Sequence, residues 1–424
     1  MKDNRKYLYL VVTDYPFGNG EPFLETELFI IAQHFKRIYI IIPESHRVDR
    51  SIQRYKLPHN AELVEMKINT GKADKILALS QSFDSINRLE SKFVNGSYNQ
   101  KFGAFHLKTL IGFRSMANKF ESELTALLKF HNHSANEVTL YSYWFYYVTA
   151  AFAAVKKSNT NYKAITRIHG WDCFFERSAG NYLPLRPWVA QTIDGIYAIS
   201  EAGRQYTLNK LPGIDPRKIK KSYLGTDELP VPQIKVSPSN CLHIVSLAFI
   251  DPVKRLEKIV EALERIQNLK VHWTHIGNAP DGNKRLQELA ELKLEGKSNI
   301  TFSFEGEFTK AQVFSFFKSQ HPDLLICTSS SEGLPVSMME AMGHGIGVLS
   351  VNVGGVAEIV KDQFNGVLLP IDASANTISE SLEKWAILTE SERIQRGKNA
   401  YQIYNEYFSA PKNYLNFLEE ALQG

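Results

Sequence analysis

An α/β fold with two doubly wound, largely parallel sheets is the class this sequence predicts, and three observations carry it. Short β-rich runs alternate with helical patterns along nearly the whole chain, the signature of strand–helix–strand units. The alternation is cleanest after residue 240, where each strand candidate is followed by a helix candidate. Between the halves, Asp227–Asn240 (DELPVPQIKVSPSN) holds three prolines, no helical period and a polar end, and so reads as a linker. A chain of 424 residues is long enough for two domains that each bury a core.

Taken in order, Tyr7–Val12, Arg37–Ile42, Glu137–Tyr141, Ala164–Arg167 and Gly195–Ile199 are strand candidates of the first half, with helical patterns at Pro22–Phe35 and Glu121–Phe130. Leu242–Leu247, Leu269–Ile276, Ile300–Phe304, Asp323–Thr328 and Gly347–Val351 are those of the second half. The expected organisation is a Rossmann-like domain over residues 1–228, a linker over 229–240, a second Rossmann-like domain over 241–400, and a final segment over 401–424. A cleft between the two domains is expected, because open α/β sheets bind ligands beyond the carboxyl ends of their strands. The residues just after strands are therefore the informative ones.

Composition excludes several classes. With 44% hydrophobic and 22% charged residues, the chain is neither collagen-like nor disordered. The three cysteines, Cys173, Cys241 and Cys327, form no C-x-x-C pair, which argues for a reduced, cytoplasmic protein without a zinc ribbon. No run approaches the roughly 18–20 apolar residues of a membrane span. The Tyr7–Val12 run is bounded by Asp14 and Pro16, too short for a signal sequence. The expected location is the cytoplasm, or the inner face of a membrane.

Lys and Arg outnumber Asp and Glu by ten over residues 1–240 and fall short by six over 241–424, so the first half favours anionic partners. Lys101–Phe120 (KFGAFHLKTLIGFRSMANKF) joins basic residues to apolar area from Phe102, Phe105, Leu110, Phe113 and Phe120, without an acid. Interfacial helices and amphipathic helices packed on a sheet share this pattern. Packing is the expected outcome, with an anionic membrane surface kept as a candidate partner. Aromatic residues are abundant (Tyr141–Tyr147 reads YSYWFYY) but not interleaved with basic ones, so nucleic acid is not an expected partner. His131 and His133 lack a third ligand nearby, and no metal site is expected there.

The strongest motif is Asp323–Val360, DLLICTSSSEGLPVSMMEAMGHGIGVLSVNVGGVAEIV. A buried strand gives way to three serines, then Glu332, Gly333, Leu334 and Pro335. Pro335 suits the first turn of a helix, with Leu334 as an N-cap that has no side-chain acceptor. Free first-turn amides and the helix dipole there favour phosphate or polar oxygens. Glu332 ahead of that helix and Glu340 within it supply two carboxylates, which accept hydrogen bonds from paired sugar hydroxyls. Upstream, Lys254 and Arg255 stand at a helix start, where cations oppose the dipole and call for an anionic partner. In the first half, Pro16-Phe-Gly-Asn-Gly-Glu21 follows the first strand with Gly18 and Gly20 permitting close backbone approach. Ile165-Thr-Arg-Ile-His-Gly-Trp-Asp172 places His169 at a strand end in a polar, turn-rich setting.

Glu332-x7-Glu340 within S-E-G-L-P-x-S-x-M-E-A-M, followed by Gly354-Gly355 and Asn365-Gly366, resembles the family 4 glycosyltransferases, which are retaining enzymes of the GT-B fold. The resemblance covers nearly the whole chain and is strongest from 241 to 370. It implies that Glu340 holds the ribose hydroxyls of a nucleotide, that Glu332 contacts the transferred sugar, and that the amides around Gly333, Leu334 and Pro335 serve sugar and diphosphate. It implies a phosphate-binding role for Lys254. The Gly-Arg that many members carry shortly before that lysine is Ala248-Phe249 here, and Arg255 is the candidate to replace the missing arginine. It implies that His169 faces the transferred sugar, that Gly18 and Gly20 approach the donor, that Glu21 and Asp172 lie on the acceptor side, and that residues 401–424 return to the first domain. Leu224-Gly-Thr-Asp227 stands where the family often has Asn-Gly-Val-Asp.

The function so implied is transfer of a sugar from a UDP- or GDP-sugar to a hydroxyl of a glycan or lipid-linked acceptor, as in bacterial cell-surface polysaccharide synthesis. The chain has no D-x-D pair, so neither a metal nor another cofactor is expected. A nucleotide-sugar epimerase or hydrolase on the same fold, or a non-catalytic sugar-binding protein, are the alternatives. The last of these sits poorly with the joint presence of Lys254, Glu332 and Glu340.

Overall fold

The computed structural model describes residues 5–18, 20–43, 52–81, 85–97, 101–211, 213–279 and 284–423. They form two compact units, residues 1–223 with 411–424, and residues 224–410.

The first unit is a seven-stranded parallel sheet: β1 Tyr7–Val11, β2 Arg37–Pro43, β3 Ala61–Met66, β4 Val138–Ser142, β5 Lys163–Ile168, β6 Gly195–Ala198 and β7 Ile219–Lys221. Its order is β3-β2-β1-β4-β5-β6-β7, so the winding reverses between β1 and β4. β1 and β2 read as almost continuous apolar runs because they are covered on both faces. β3 and β7 do not, and sequence patterning missed both. They are the edge strands, where Glu62 and Glu65 or Lys220 and Lys221 interrupt the hydrophobic pattern and discourage pairing with another chain.

The second unit is a six-stranded parallel sheet: β8 Cys241–Leu247, β9 Lys270–Ile276, β10 Ile300–Gly306, β11 Leu324–Cys327, β12 Gly347–Val351 and β13 Gly366–Leu369. The order β10-β9-β8-β11-β12-β13 again reverses the winding, here between β8 and β11. The missed strand, β13, is again an edge.

Three expectations about boundaries shift. Residues 229–240 lack helix and strand, yet they are pinned to the second unit: Ser237 N–H donates to Asp323 at 3.0 Å, and Arg393 donates to the Ser237 carbonyl at 2.8 Å. The helix Glu390–Tyr407 stays on the second unit, where Tyr401 donates to the Leu229 carbonyl at 3.0 Å and Tyr404 to that of Asp227. The segment belonging to the first unit therefore begins at Pro411 rather than 401. Its helix, Ala410–Gln423, buries Phe417 against Tyr141 and Tyr197, with ring centroids at 5.4 and 4.9 Å. The buried Arg167 guanidinium lies 4.2 Å from the Phe417 ring centroid and 3.4 Å from Glu27, a cation–π contact and an ion pair in one place. All but the first three residues of Lys101–Phe120 lie in one helix, Ala104–His131, with Leu110, Ala117 and Phe120 buried, as expected of a packed helix.

Candidate functional site

In the second unit the chemistry-bearing residues gather where β8 and β11 part. After β8 the chain makes a single turn, Pro252–Lys254, started by Asp251, whose carboxylate accepts from the Val253 amide at 2.9 Å. After β11 the loop 328–332 is joined to that turn. Ser330 N–H donates to the Val253 carbonyl at 2.8 Å, and the Thr328 hydroxyl lies 3.0 and 2.9 Å from the carbonyls of Lys254 and Arg255. The joined loops bring Lys254 Nζ to 2.7 Å from Glu332 Oε1. Side-chain exposure is 27% for Lys254 and 11% for Glu332, so the ammonium keeps a face toward solvent.

Arg255 is placed differently from expectation. It sits at φ 47°, and its guanidinium donates to the carbonyls of Thr328 at 2.8 Å and Ser329 at 3.0 Å. Its fork is occupied in holding the loop that carries Glu332, so it positions that loop rather than offering a second cation to a phosphate.

The helix after this loop spans Val336–Gly343, and its N-cap is Pro335 in extended conformation, one residue later than expected. Pro335 gives the N-terminus no side-chain acceptor. Leu334 is buried instead and anchors the turn. Gly333 accepts from the Gly355 amide at 2.9 Å. Gly354 adopts φ +53°, and a Cβ there would fall 1.8 Å from the Glu332 carbonyl oxygen. Glycine is required for the backbone to come that close.

Glu340 lies within this helix, and burial pushes its carboxyl up to about 7, with Lys310 opposing the shift and Asp227 adding to it. Lys310 pairs with Asp227 at 2.7 Å. Sequence reasoning missed Lys310. The available signal was a lysine at the first position of the helix Lys310–Gln320, where it opposes the dipole. It also missed Cys327, whose thiol lies 3.9 Å from Glu332 Oε1 and is pushed up by burial.

The first unit repeats the arrangement at its own reversal, between β1 and β4, but with carboxylates that organise loops. Glu21 is fully buried and accepts from the amides of Thr13, Asp14 and Tyr15 at 3.0–3.1 Å and from the Trp144 indole N–H. Burial raises its carboxyl while those amides pull it down. Gly18 and Gly20 wrap around Asp14: a Cβ on Gly18 would lie 2.2 Å from Asp14 Oδ2, and the Gly20 amide donates to that oxygen at 3.0 Å. Asp172 accepts from the amides of His169 at 2.8 Å and Phe145 at 3.0 Å. Glu21 and Asp172 therefore hold the loops after β1, β4 and β5, and are not free to contact an acceptor as expected. His169 does emerge from the end of β5, buried, with Trp144 at 4.4 Å between ring centroids. Burial lowers its pKa, with Asp172 opposing, and so favours the neutral imidazole.

Residues 231–403 match the family model described as glycosyl transferases group 1. That match falls within the second unit and covers most of it. The chain is 28% identical over 253 residues to the putative colanic acid biosynthesis glycosyltransferase WcaL of Escherichia coli K12, covering 58% of this chain and 61% of that one. It is 24% identical over 270 residues to the O-antigen biosynthesis glycosyltransferase WbnH of Escherichia coli, covering 62% and 72%. The chain thus spans between half and two thirds of the length of the WcaL relatives, with 52% of the Salmonella typhimurium one matched. Among solved structures, sucrose-phosphate synthase from Thermosynechococcus elongatus superposes with a TM-score of 0.70 at 14% identity, covering 99% of both chains. Anabaena HepE in complex with UDP and glucose does so with a TM-score of 0.64 at 15% identity, covering 98% of this chain and 99% of that one. These neighbours establish the GT-B class of fold.

The helix carrying Glu340 has a testable pH signature. Its raised carboxyl keeps a proton in the folded state that the unfolded chain releases near 4.5. Between about pH 4.5 and 7 the folded state therefore binds more protons, and stability should fall as pH rises through this window and level off above it, by at most about 3 kcal/mol. Urea unfolding of the wild type from pH 5 to 8 should show this slope, and Glu340→Gln should flatten it. Equal slopes in both proteins would contradict the assignment.

Proposed function

We propose that this chain is a retaining glycosyltransferase, moving a hexosyl group from a UDP- or GDP-sugar to a hydroxyl of a glycan or lipid-linked glycan in bacterial surface-polysaccharide assembly. The observation that carries the reading is the second unit's set of Lys254, Glu332, an N-cap without a side-chain acceptor at Pro335, and the raised Glu340 carboxyl, all following the strands of one sheet. Fold neighbours solved with UDP or UDP-glucose support a nucleotide-sugar donor.

Each group has a physical role in this reading. As the bond to the transferred sugar breaks, the departing diphosphate gains negative charge. Lys254 and the first-turn amides at Pro335 stabilise that charge without reorganising. Glu340 accepts the ribose hydroxyls, and Glu332, already oriented by Lys254, meets hydroxyls of the transferred sugar. The reaction is proposed to need no metal, because Lys254 supplies the positive charge. Attachment to the inner face of a membrane is supported by the helix Lys72–Ser80, which exposes Ile76, Leu77 and Leu79 beside Lys72 and Lys75.

Lys254→Ala should lower turnover by about 10²–10³ while weakening donor binding far less, because the cation interacts most strongly with the developing charge. Steady-state kinetics with donor affinity from calorimetry measures both quantities. A change in affinity alone, or in neither, would refute the leaving-group role. Transfer should also proceed in excess EDTA. Complete loss of activity, restored by Mg²⁺ or Mn²⁺, would contradict the metal-free reading.

A further inference from the structure

The loop after β5 carries Trp171, which is 39% exposed, unusual for so large an apolar side chain. It is stacked on the buried Trp144, with ring centroids 5.2 Å apart and planes at 26°. Trp144 is itself fixed, since its indole N–H donates to the buried Glu21. The Tyr146 ring meets Trp171 edge-on at 6.3 Å, and the His169 ring lies 4.4 Å from Trp144. Two polar groups in this cluster, Tyr146 Oη and His169 Nε2, are buried and have no hydrogen-bond partner among the described residues. Buried polar atoms of this kind are rare in folded proteins, and each calls for an explanation.

The backbone beneath is rigid. Asp172, next to Trp171, ties the His169 amide to the Phe145 amide, and so locks the loop after β5 to the loop after β4. An exposed aromatic face, a second ring behind it and unpartnered polar atoms beside it suit one class of ligand. A pyranose ring has an apolar face of axial C–H bonds, attracted to the negative face of an indole, and a rim of hydroxyls that need hydrogen-bond partners. A flat apolar partner would use the indole but leave the phenol and the imidazole unsatisfied.

We infer that Trp171, backed by Trp144 and flanked by Tyr146 and His169, is the platform on which a pyranose ring of the acceptor stacks. The acceptor assignment rests on the glycosyl-transfer reading above. In that reading the nucleotide's contacts lie in the second unit, and the platform belongs wholly to the first.

The test is kinetic, on the full chain with a saturating donor. Trp171→Ala should raise the acceptor KM by roughly tenfold or more, and Trp171→Phe, which keeps a ring, should return it to within about threefold of wild type. Nucleotide diphosphate affinity, measured by calorimetry, should stay within about twofold, because the variant removes only a sugar contact. An unchanged acceptor KM would overturn the platform. A parallel loss of nucleotide affinity would overturn the acceptor assignment and mark Trp171 as a nucleotide contact. If the wild-type chain turns over no nucleotide sugar, the functional reading fails separately. Saturation-transfer NMR with methyl hexopyranosides then tests the platform alone: a signal lost in Trp171→Ala upholds it, and the same signal in both proteins overturns it.

Discussion

The Lys254–Glu332 ion pair, held across the point where the second sheet reverses its winding, is the constraint on which the candidate donor site depends. At such a point two neighbouring strands send their following segments in opposite directions, leaving a crevice that no helix fills. Here the crevice walls are joined through Thr328, Ser330 and Arg255, so the two loops move as one body. One of the three N–H donors of the Lys254 ammonium is taken by Glu332, two remain, and the side chain keeps exposed surface. A diphosphate can thus engage Lys254 while Glu332 keeps its orientation, which is the preorganisation electrostatic catalysis requires.

The first unit uses the same topological opening differently. Its buried carboxylates are satisfied by backbone amides: Glu21 gathers three consecutive N–H groups and an indole, and Asp172 bridges two loops. Buried carboxyl groups so thoroughly hydrogen-bonded serve architecture. What they fix in place is aromatic: Trp144 directly, and Trp171 and His169 through the loop they share with Asp172. One unit thus presents charge suited to phosphate, and the other a ring surface suited to sugar.

The fold class was legible because strands covered on both faces leave long apolar runs, as in β1, β8 and β12. The edges β3, β7 and β13 were not, since edge strands carry the charges that keep sheets from associating. Lys254, Glu332 and Glu340 stood out through their motif and its family resemblance, and the structure brings the first two into contact. Burial was not legible: nothing in the residue order distinguishes a carboxylate that meets a ligand from one that meets three amides, so Glu21 and Asp172 looked like ligand contacts. Arg255 misled for the same reason, since the carbonyls it binds lie more than seventy residues away. Residues 229–240 have the composition of a linker, and only the distant partners Asp323 and Arg393 make them part of the second unit.

A crystal structure with a bound nucleoside diphosphate tests the central claim most directly. The account predicts a phosphate oxygen within hydrogen-bond distance of Lys254 Nζ, the ribose hydroxyls on the Glu340 carboxylate, and the loop 328–332 unmoved. A nucleotide bound elsewhere, with Lys254 and Glu332 still paired only with each other, would contradict it.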